Sequence, residues 1–366
     1  MPDTDPTLIN DLLAFITADD PGESAFEALA LRLFAHQFQH NAAYARLARA
    51  RGRTPATVRR WQDIPAVAVD GFKSLTLSCA PTERCERVFT TSGTTRADVK
   101  GRHFHPDLTV WNASMRRHFD RCAGPRPVRM AILFPDETAM PNSSLAHYLQ
   151  LAMQDHGAPG SRHVASAEAL DIDTLLAMME ASQRSGEPLA LLGASWSFVA
   201  LLDRLDRDAR RFSLPPGSWV LDTGGFKGRS RDVPMEDFYA GLSAAVGVAR
   251  RHCLNMYGMT ELSSQCYDAG NETVPSVKRG PHWMRTRAID PLSGVDVAPG
   301  TAGVLVHTDL ANHNAVTTIL TEDIGIIVGD GFQLLGRAQG AAAKGCSLVV
   351  ERLVEQAGAA SVAAGR

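Results

Sequence analysis

Between Val88 and Gly101 the chain reads VFTTSGTTRADVKG. A hydrophobic strand end runs into Thr90, Thr91, Ser92, Gly93, Thr94 and Thr95, a run of hydroxyls broken by one glycine. Such a loop offers bare backbone N–H groups and O–H donors to one bound anion, and Gly93 lets the backbone come close. Lys100 adds a point charge for the same phosphate. The same composition also makes plain solvent turns, so the loop alone leaves both readings open. Far downstream, Tyr257-Gly258-Met259-Thr260-Glu261 puts an aromatic, a glycine, a hydroxyl and a carboxylate within one short segment. His103 and His105 stand too isolated to argue for a metal site and read as exposed loop or strand histidines.

The bulk of the sequence sets the limits. At 366 residues the chain is long enough for one large domain or two and for a sizeable core. Its 45% hydrophobic and 21% charged residues are ordinary for a globular protein. A formal net charge of -3 gives no reason to propose nucleic acid or an anionic membrane as a partner. No apolar run is long enough to span a bilayer, and the opening MPDTDPTLIN is acidic and polar, which points to the cytoplasm. Six cysteines (Cys79, Cys85, Cys122, Cys253, Cys266, Cys346) are scattered without C-x-x-C spacing. Reduced thiols are expected, with neither structural disulfides nor a zinc site.

The elements that must position these residues follow from periodicity. Residues 7 to 60 read as helical, with apolar residues at three- and four-residue spacing. From residue 61 short apolar runs, VRMAILF (128–134) and LALLGAS (189–195), alternate with amphipathic stretches such as 143–154 and 167–184. That alternation predicts an α/β fold with a largely parallel sheet. Residues 217–222 read as a strand stopping at Thr223-Gly224-Gly225, 235–251 as a helix, and 253–256 as a strand leading into Tyr257-Gly258. From about Val295 the pattern turns to short β runs, and the Ala/Gly-rich end from Ala357 reads as loosely ordered. Four segments look like strand ends at the carboxyl edge of a parallel sheet, where ligands settle in open α/β folds. These are the Thr/Ser loop, Thr223 to Gly228, Tyr257 to Glu261, and Thr321 to Gly325. The expected organisation is a helical segment over 1–60, an α/β core over 61–335 and a short tail over 336–366.

The Thr/Ser loop and the Tyr-Gly-Met-Thr-Glu segment, in this order, resemble the phosphate loop and adenylate motif of the adenylate-forming superfamily. Gly224 to Gly228, Met256 to Gln265, Asp309-Leu310-Ala311-Asn312, and Leu335 to Ala338 with Lys344-Gly345-Cys346-Ser347 resemble the acyl-protein synthetases of the LuxE type. The resemblance runs from about residue 10 to 352. It implies the α/β fold of the adenylate-forming N-terminal domain, without the large C-terminal lid and its lysine. It also implies activation of a carboxylic acid, a fatty acid in this family, with ATP and Mg2+ as acyl-AMP. Thr91, Ser92, Gly93, Thr94, Thr95 and Lys100 would serve the phosphates, and Thr260 would bond one of them. Gly224 and Gly225 would lie flat against the purine, with Tyr257 stacked on it beside Gly258. Glu261 would hold Mg2+, Asp323 the ribose hydroxyls, and Arg337 the ribose or phosphate. Cys346 matches the acyl-accepting cysteine, from which an acyl-CoA-reductase partner takes the acyl group. Cys266 is the next thiol to consider. Trp196 and Phe198 read as acyl-tunnel lining or as ordinary core. Arg96 departs from the glycine typical of the superfamily loop. Two other functions stay open on the sequence: a ligase that acylates CoA or a carrier protein, as in phenylacetate-CoA ligases, and a non-catalytic scaffold of the same fold.

Overall fold

The computed structural model describes residues 6–91, 99–123, 127–225 and 230–338. By their contacts the described residues fall into two compact units. One takes the described residues up to Arg117, the insertion Met259–Ser264, and the described residues from Gly280 to Ala338. The other takes His118–Gly258 and Gln265–Arg279.

The first unit begins with three helices, Pro6–Thr17, Glu23–His40 and Ala42–Ala50. In the second of them Phe26, Leu29, Ala30, Leu33, Phe34 and Gln37 are buried, the three- and four-residue spacing of one helical face. Asn41 caps the third helix by accepting from the Tyr44 amide at 3.1 Å. Gln37 is the one polar member of the buried face of Glu23–His40, and its amide is fully used. Its Nε2 donates to the Asn312 carbonyl at 2.7 Å, and its Oε1 accepts from the amide and hydroxyl of Thr317. Asn41 Nδ2 reaches the Ala315 carbonyl at 3.0 Å. These contacts join residues 274 to 280 positions apart.

The β part of this unit is mostly antiparallel. Met284–Ile289, Gly303–Asp309, Thr318–Val328 and Gly331–Arg337 lie side by side in that order, and Val67–Ala68 adds in parallel to Thr318–Val328. Asp323 faces Arg337 across the last pair. The register then slips between Ile324 and Gly325, a bulge opposite Leu335 and Gly336. A separate hairpin pairs Arg87–Thr90 with Arg102–His105.

The second unit contains the parallel sheet that the apolar runs predict. Its strand order is Arg162–His163, Arg129–Leu133, Leu189–Ala194, Trp219–Thr223, Cys253–Tyr257, closed by antiparallel Cys266–Tyr267. Leu189–Ala194 is buried at every position, as a strand covered on both faces must be. Gly193 is a packing requirement: a Cβ there would sit 2.8 Å from Cβ and O of Leu133 on the adjacent strand. Helices Ser144–His156, Ile172–Ser185, Ser195–Arg207 and Met235–Val246 follow the strands in the chain. Phe198, Leu202, Met179, Tyr239 and Leu242 from three of them share one core with Leu133, Leu191 and Val220. Phe198 is therefore a core residue.

Two expectations need correction. Only two of the four expected junctions, at Thr223-Gly224 and Tyr257-Gly258, end parallel strands. The Thr/Ser loop springs from an antiparallel hairpin, and Thr321 to Gly325 lies inside the long strand Thr318–Val328. An apolar run meeting polar residues looks the same whichever way its neighbour runs, which is why these were misplaced. His103 and His105 are not exposed. Both are 1–2% accessible, because alternation along Arg102–His105 turns them to the same buried face, rings 4.1 Å apart.

Candidate functional site

The hydroxyl loop is closed at its base. The Thr91 amide donates to the Gly101 carbonyl at 3.0 Å, and the Gly101 amide returns to Thr91 Oγ1 at 2.9 Å. Ser92, Gly93, Thr94 and Thr95 lie outside the described residues, as do Phe226, Lys227 and Gly228. Lys100 is exposed next to the closure. Gly101 lies against Glu261. A Cβ at position 101 would stand 3.5 Å from Glu261 Oε1 and 3.0 Å from Thr91 Cγ2. The first unit thus brings together the foot of the loop and the carboxylate of the downstream motif.

Glu261 is 6% exposed, and that burial decides its chemistry. Loss of hydration pushes its carboxyl up to about 7, with Asp323 reinforcing the rise. Its own amide and the cations Lys73 and Arg337 pull the other way. Lys73, which no sequence pattern singled out, is paired to Asp70 at 2.7 Å. Asp323 is nearly buried in mid-strand, its amide held by Thr321 Oγ1 at 3.0 Å. Arg337 is largely exposed, with Nε 3.8 Å from Asp323 and Nη1 3.9 Å from Glu322.

The backbone around Glu261 is held by side chains from far away in sequence. Buried His103 donates from Nδ1 to the Thr260 carbonyl at 2.9 Å. Burial depresses the His103 pKa to about 4, so the ring is neutral at physiological pH. Asn312 Nδ2 donates to the Glu261 carbonyl at 2.9 Å. Asp309, fully buried, accepts from the amides of Ser263 (3.0 Å) and Ser264 (2.8 Å) and from Ser264 Oγ (2.7 Å). Sequence reasoning gave none of these three a part in placing Glu261. The resemblance did pick out the segment containing Asp309 and Asn312.

In the second unit, Gly224-Gly225 and Tyr257-Gly258 follow two adjacent parallel strands in register, Thr223 opposite Met256. Thr223 Oγ1 ties the two ends by donating to the Met256 carbonyl at 2.9 Å. Gly224 has φ 73°, a conformation that favours glycine, and Gly225 has open space where a Cβ would be. Beneath them lies a buried polar network. Asp222 accepts from Ser195 Oγ and Tyr239 OH, each at 2.7 Å, and from Asn255 Nδ2 at 3.0 Å. Burial raises its pKa. Asp268 takes the Asn255 amide, Ser276 Oγ and the buried Lys278 ammonium. The strand ends that carry the glycines are thus rigidly joined.

Cys346 lies outside the described residues. None of the five cysteines among the described residues forms a disulfide, and Cys266 is fully buried, which removes it as an accessible acceptor in this conformation. Among the described residues no cluster of three or more His, Cys, Asp or Glu could hold a metal alone. No described helix is long and apolar enough to cross a membrane.

A family model described as acyl-protein synthetase, LuxE, matches residues 5–354. A long-chain-fatty-acid--luciferin-component ligase of Vibrio harveyi is 20% identical over 78% of this chain and 77% of its own. Among solved structures, ATP-bound MatB from Rhodopseudomonas palustris superposes with TM-score 0.52 at 17% identity, over 70% of this chain and 49% of MatB. The chain thus spans about half of MatB. An open conformation of 2-hydroxyisobutyryl-CoA ligase, in complex with 2-HIB-AMP and CoA, gives TM-score 0.60 at 15% identity, over 87% of this chain and 76% of that one. At such identities these two establish the fold. The chain belongs to the LuxE acyl-protein synthetase family, and it is a ligase built on the adenylate-forming fold.

Proposed function

We propose that the protein activates a fatty acid with ATP as acyl-AMP and then carries the acyl group as a thioester on Cys346. In the first half-reaction a carboxylate oxygen bonds to the α-phosphorus and the bond to the β-phosphate breaks, releasing pyrophosphate. In the second, the Cys346 thiolate bonds to the acyl carbon, AMP leaves with the bonding pair, and the thiol proton passes to solvent. An acyl-CoA-reductase-type partner is the consumer of that thioester.

The observation that carries the reading is the placement of Glu261, a buried carboxyl against Gly101 at the foot of the hydroxyl loop. A carboxyl held near its ionisation point by desolvation is fully ionised by an incoming cation. Mg2+ suits it, since that ion takes one or two protein carboxylates and completes its shell with phosphate oxygens and water. When bound there, Mg2+ would supply charge neutralisation at the phosphates. The residues do the rest. Thr91, Lys100 and Thr260, with Ser92, Gly93, Thr94 and Thr95, orient the phosphates. Asp323 accepts from the ribose hydroxyls, and Arg337 donates to the ribose or phosphate. Gly224, Gly225, Tyr257 and Gly258 are the residues assigned to the base.

The test is incubation with ATP, Mg2+ and labelled carboxylic acids of graded length, followed by intact mass and hydroxylamine treatment. Hydroxylamine-labile label on the protein is the expected result. Label appearing only on added CoA or a carrier protein would replace self-acylation by ligation to those acceptors. Absence of carboxylate-dependent ATP–pyrophosphate exchange would end the adenylation reading altogether.

A further inference from the structure

Four of the five consecutive residues Thr260 to Ser264 are held by three buried polar side chains. His103 fixes the carbonyl of Thr260 and Asn312 that of Glu261. Asp309 fixes the amides of Ser263 and Ser264. They come from two distant stretches of chain, the hairpin strand carrying His103 and the segment 309–312, and lie 157, 51 and 45 to 46 residues from their partners. All three are at most 1% exposed. The frame is itself braced. Asp309 Oδ1 also takes the Ala311 amide at 3.0 Å and the Ser264 hydroxyl at 2.7 Å. Ser264 Oγ meets Ser114 Oγ at 3.0 Å and the indole N–H of fully buried Trp283 at 2.9 Å. The two oxygens of Asp309 thus accept from three amides and one hydroxyl.

A turn such as 259–264 has few backbone partners of its own; among the described residues its turn bond runs from the Leu262 amide to the Met259 carbonyl at 3.1 Å. Without the frame the carboxylate of Glu261 would wander by more than the sub-ångström tolerance of a reacting site. We infer that His103, Asp309 and Asn312 are positioning residues for adenylation, which fix the backbone of residues 260–264 so that Glu261 is aimed. This deepens the proposed function and rests on it, since it assumes that Glu261 serves the adenylation step.

The experiment compares the full-length wild type with Asp309→Asn and Asn312→Ser. Asp309→Asn keeps the size but turns one acceptor into a donor facing N–H groups. Asn312→Ser removes the bond to the Glu261 carbonyl at small cost in volume and serves where the first variant does not fold. Two readouts are taken on protein shown folded by circular dichroism. Amide hydrogen exchange of residues 260–264 without ligand should quicken, while exchange in the sheet of residues 284–337 stays unchanged. In ATP–pyrophosphate exchange, kcat should fall roughly 10- to 100-fold and half-saturating Mg2+ should rise several-fold, with KM for ATP changing less. A purely structural role would lower the melting temperature while leaving kcat and Mg2+ dependence of the folded fraction intact, and that result overturns the inference. No exchange in the wild type overturns the adenylation reading and the positioning role with it. Wild-type exchange that both variants match overturns the positioning role alone.

Discussion

Glu261 sits where two demands conflict. Burial favours its neutral form and lifts the pKa from 4.5 to about 7, whereas a metal ligand must be ionised. The folded-state value lies above the unfolded one, so the folded state holds the proton more tightly. Its contribution to stability is therefore present below about 4.5 and is lost as pH rises towards 7. Asp309, raised from 3.8 to about 6 by burial, acts in the same direction over a lower window. Glu261→Gln removes only the first. Urea unfolding at pH 5 and pH 8 should show the wild type losing roughly 2–3 kcal/mol more than the variant between them. The same substitution should cut carboxylate-dependent ATP–pyrophosphate exchange by roughly 100- to 1,000-fold, the scale of losing one preorganised group. Asp323→Ala should instead raise KM for ATP by about tenfold or more, through loss of a charged acceptor for the ribose. An unchanged KM in folded protein would make Asp323 a strand residue only. Glu261 can be singled out in the sequence because it closes the five-residue segment Tyr257-Gly258-Met259-Thr260-Glu261. Its environment was not legible there, because His103, Asn312 and Asp309 reach the segment 260–264 from 45 to 157 positions away.

Among the elements, the parallel strands were the easiest to read. Arg129–Leu133 and Leu189–Ala194 are short apolar runs because helices or strands cover them throughout, and burial writes itself into composition. The hairpin Arg87–Thr90/Arg102–His105 and the strand Thr318–Val328 were harder, since pairing direction leaves no mark on a single strand. Histidine at alternate positions misled for a related reason: a polar side chain on a covered face looks like one facing water. Two glycines separate packing from chemistry. Gly193→Ala would overpack the parallel sheet against Leu133 and should cost about 1–3 kcal/mol of stability with KM for ATP unchanged. Gly101→Ala would press on Thr91 and meet Glu261, so ATP–pyrophosphate exchange should weaken by more than the melting temperature falls. Thermal melts and exchange assays on the pair check both statements. Equal kinetic losses in the two variants would mean that position 101 matters only for packing.

For the whole molecule, the central expectation is that the two half-reactions separate. Cys346→Ser leaves a hydroxyl of similar size that is hardly ionised at neutral pH. Acyl-AMP formation should persist while stable acylation of the protein disappears, read by pyrophosphate exchange and intact mass on the same sample. Acylation that survives in this variant would move the acceptor to another thiol or to CoA.

The long-range bonds of the N-terminal helices bear on how the chain is made. Gln37 lies on a buried helix face, and its amide finds its partners at Asn312, His313 and Thr317; Asn41 finds one at Ala315. On the ribosome, at about 5–20 residues per second, those partners emerge roughly 15–60 s after the helix does. Until then the polar member of the apolar stripe around Phe26, Leu33 and Phe34 lacks its native partners, although Tyr44 and Trp61 already pack on Phe34 and Phe26. The unit that holds the parallel sheet ends in sequence at Arg279, so it is expected to condense first. Nascent chains stalled between residues 280 and 310 should therefore carry a protease-resistant middle and a protease-sensitive N-terminus, the interval in which a chaperone has most to hold.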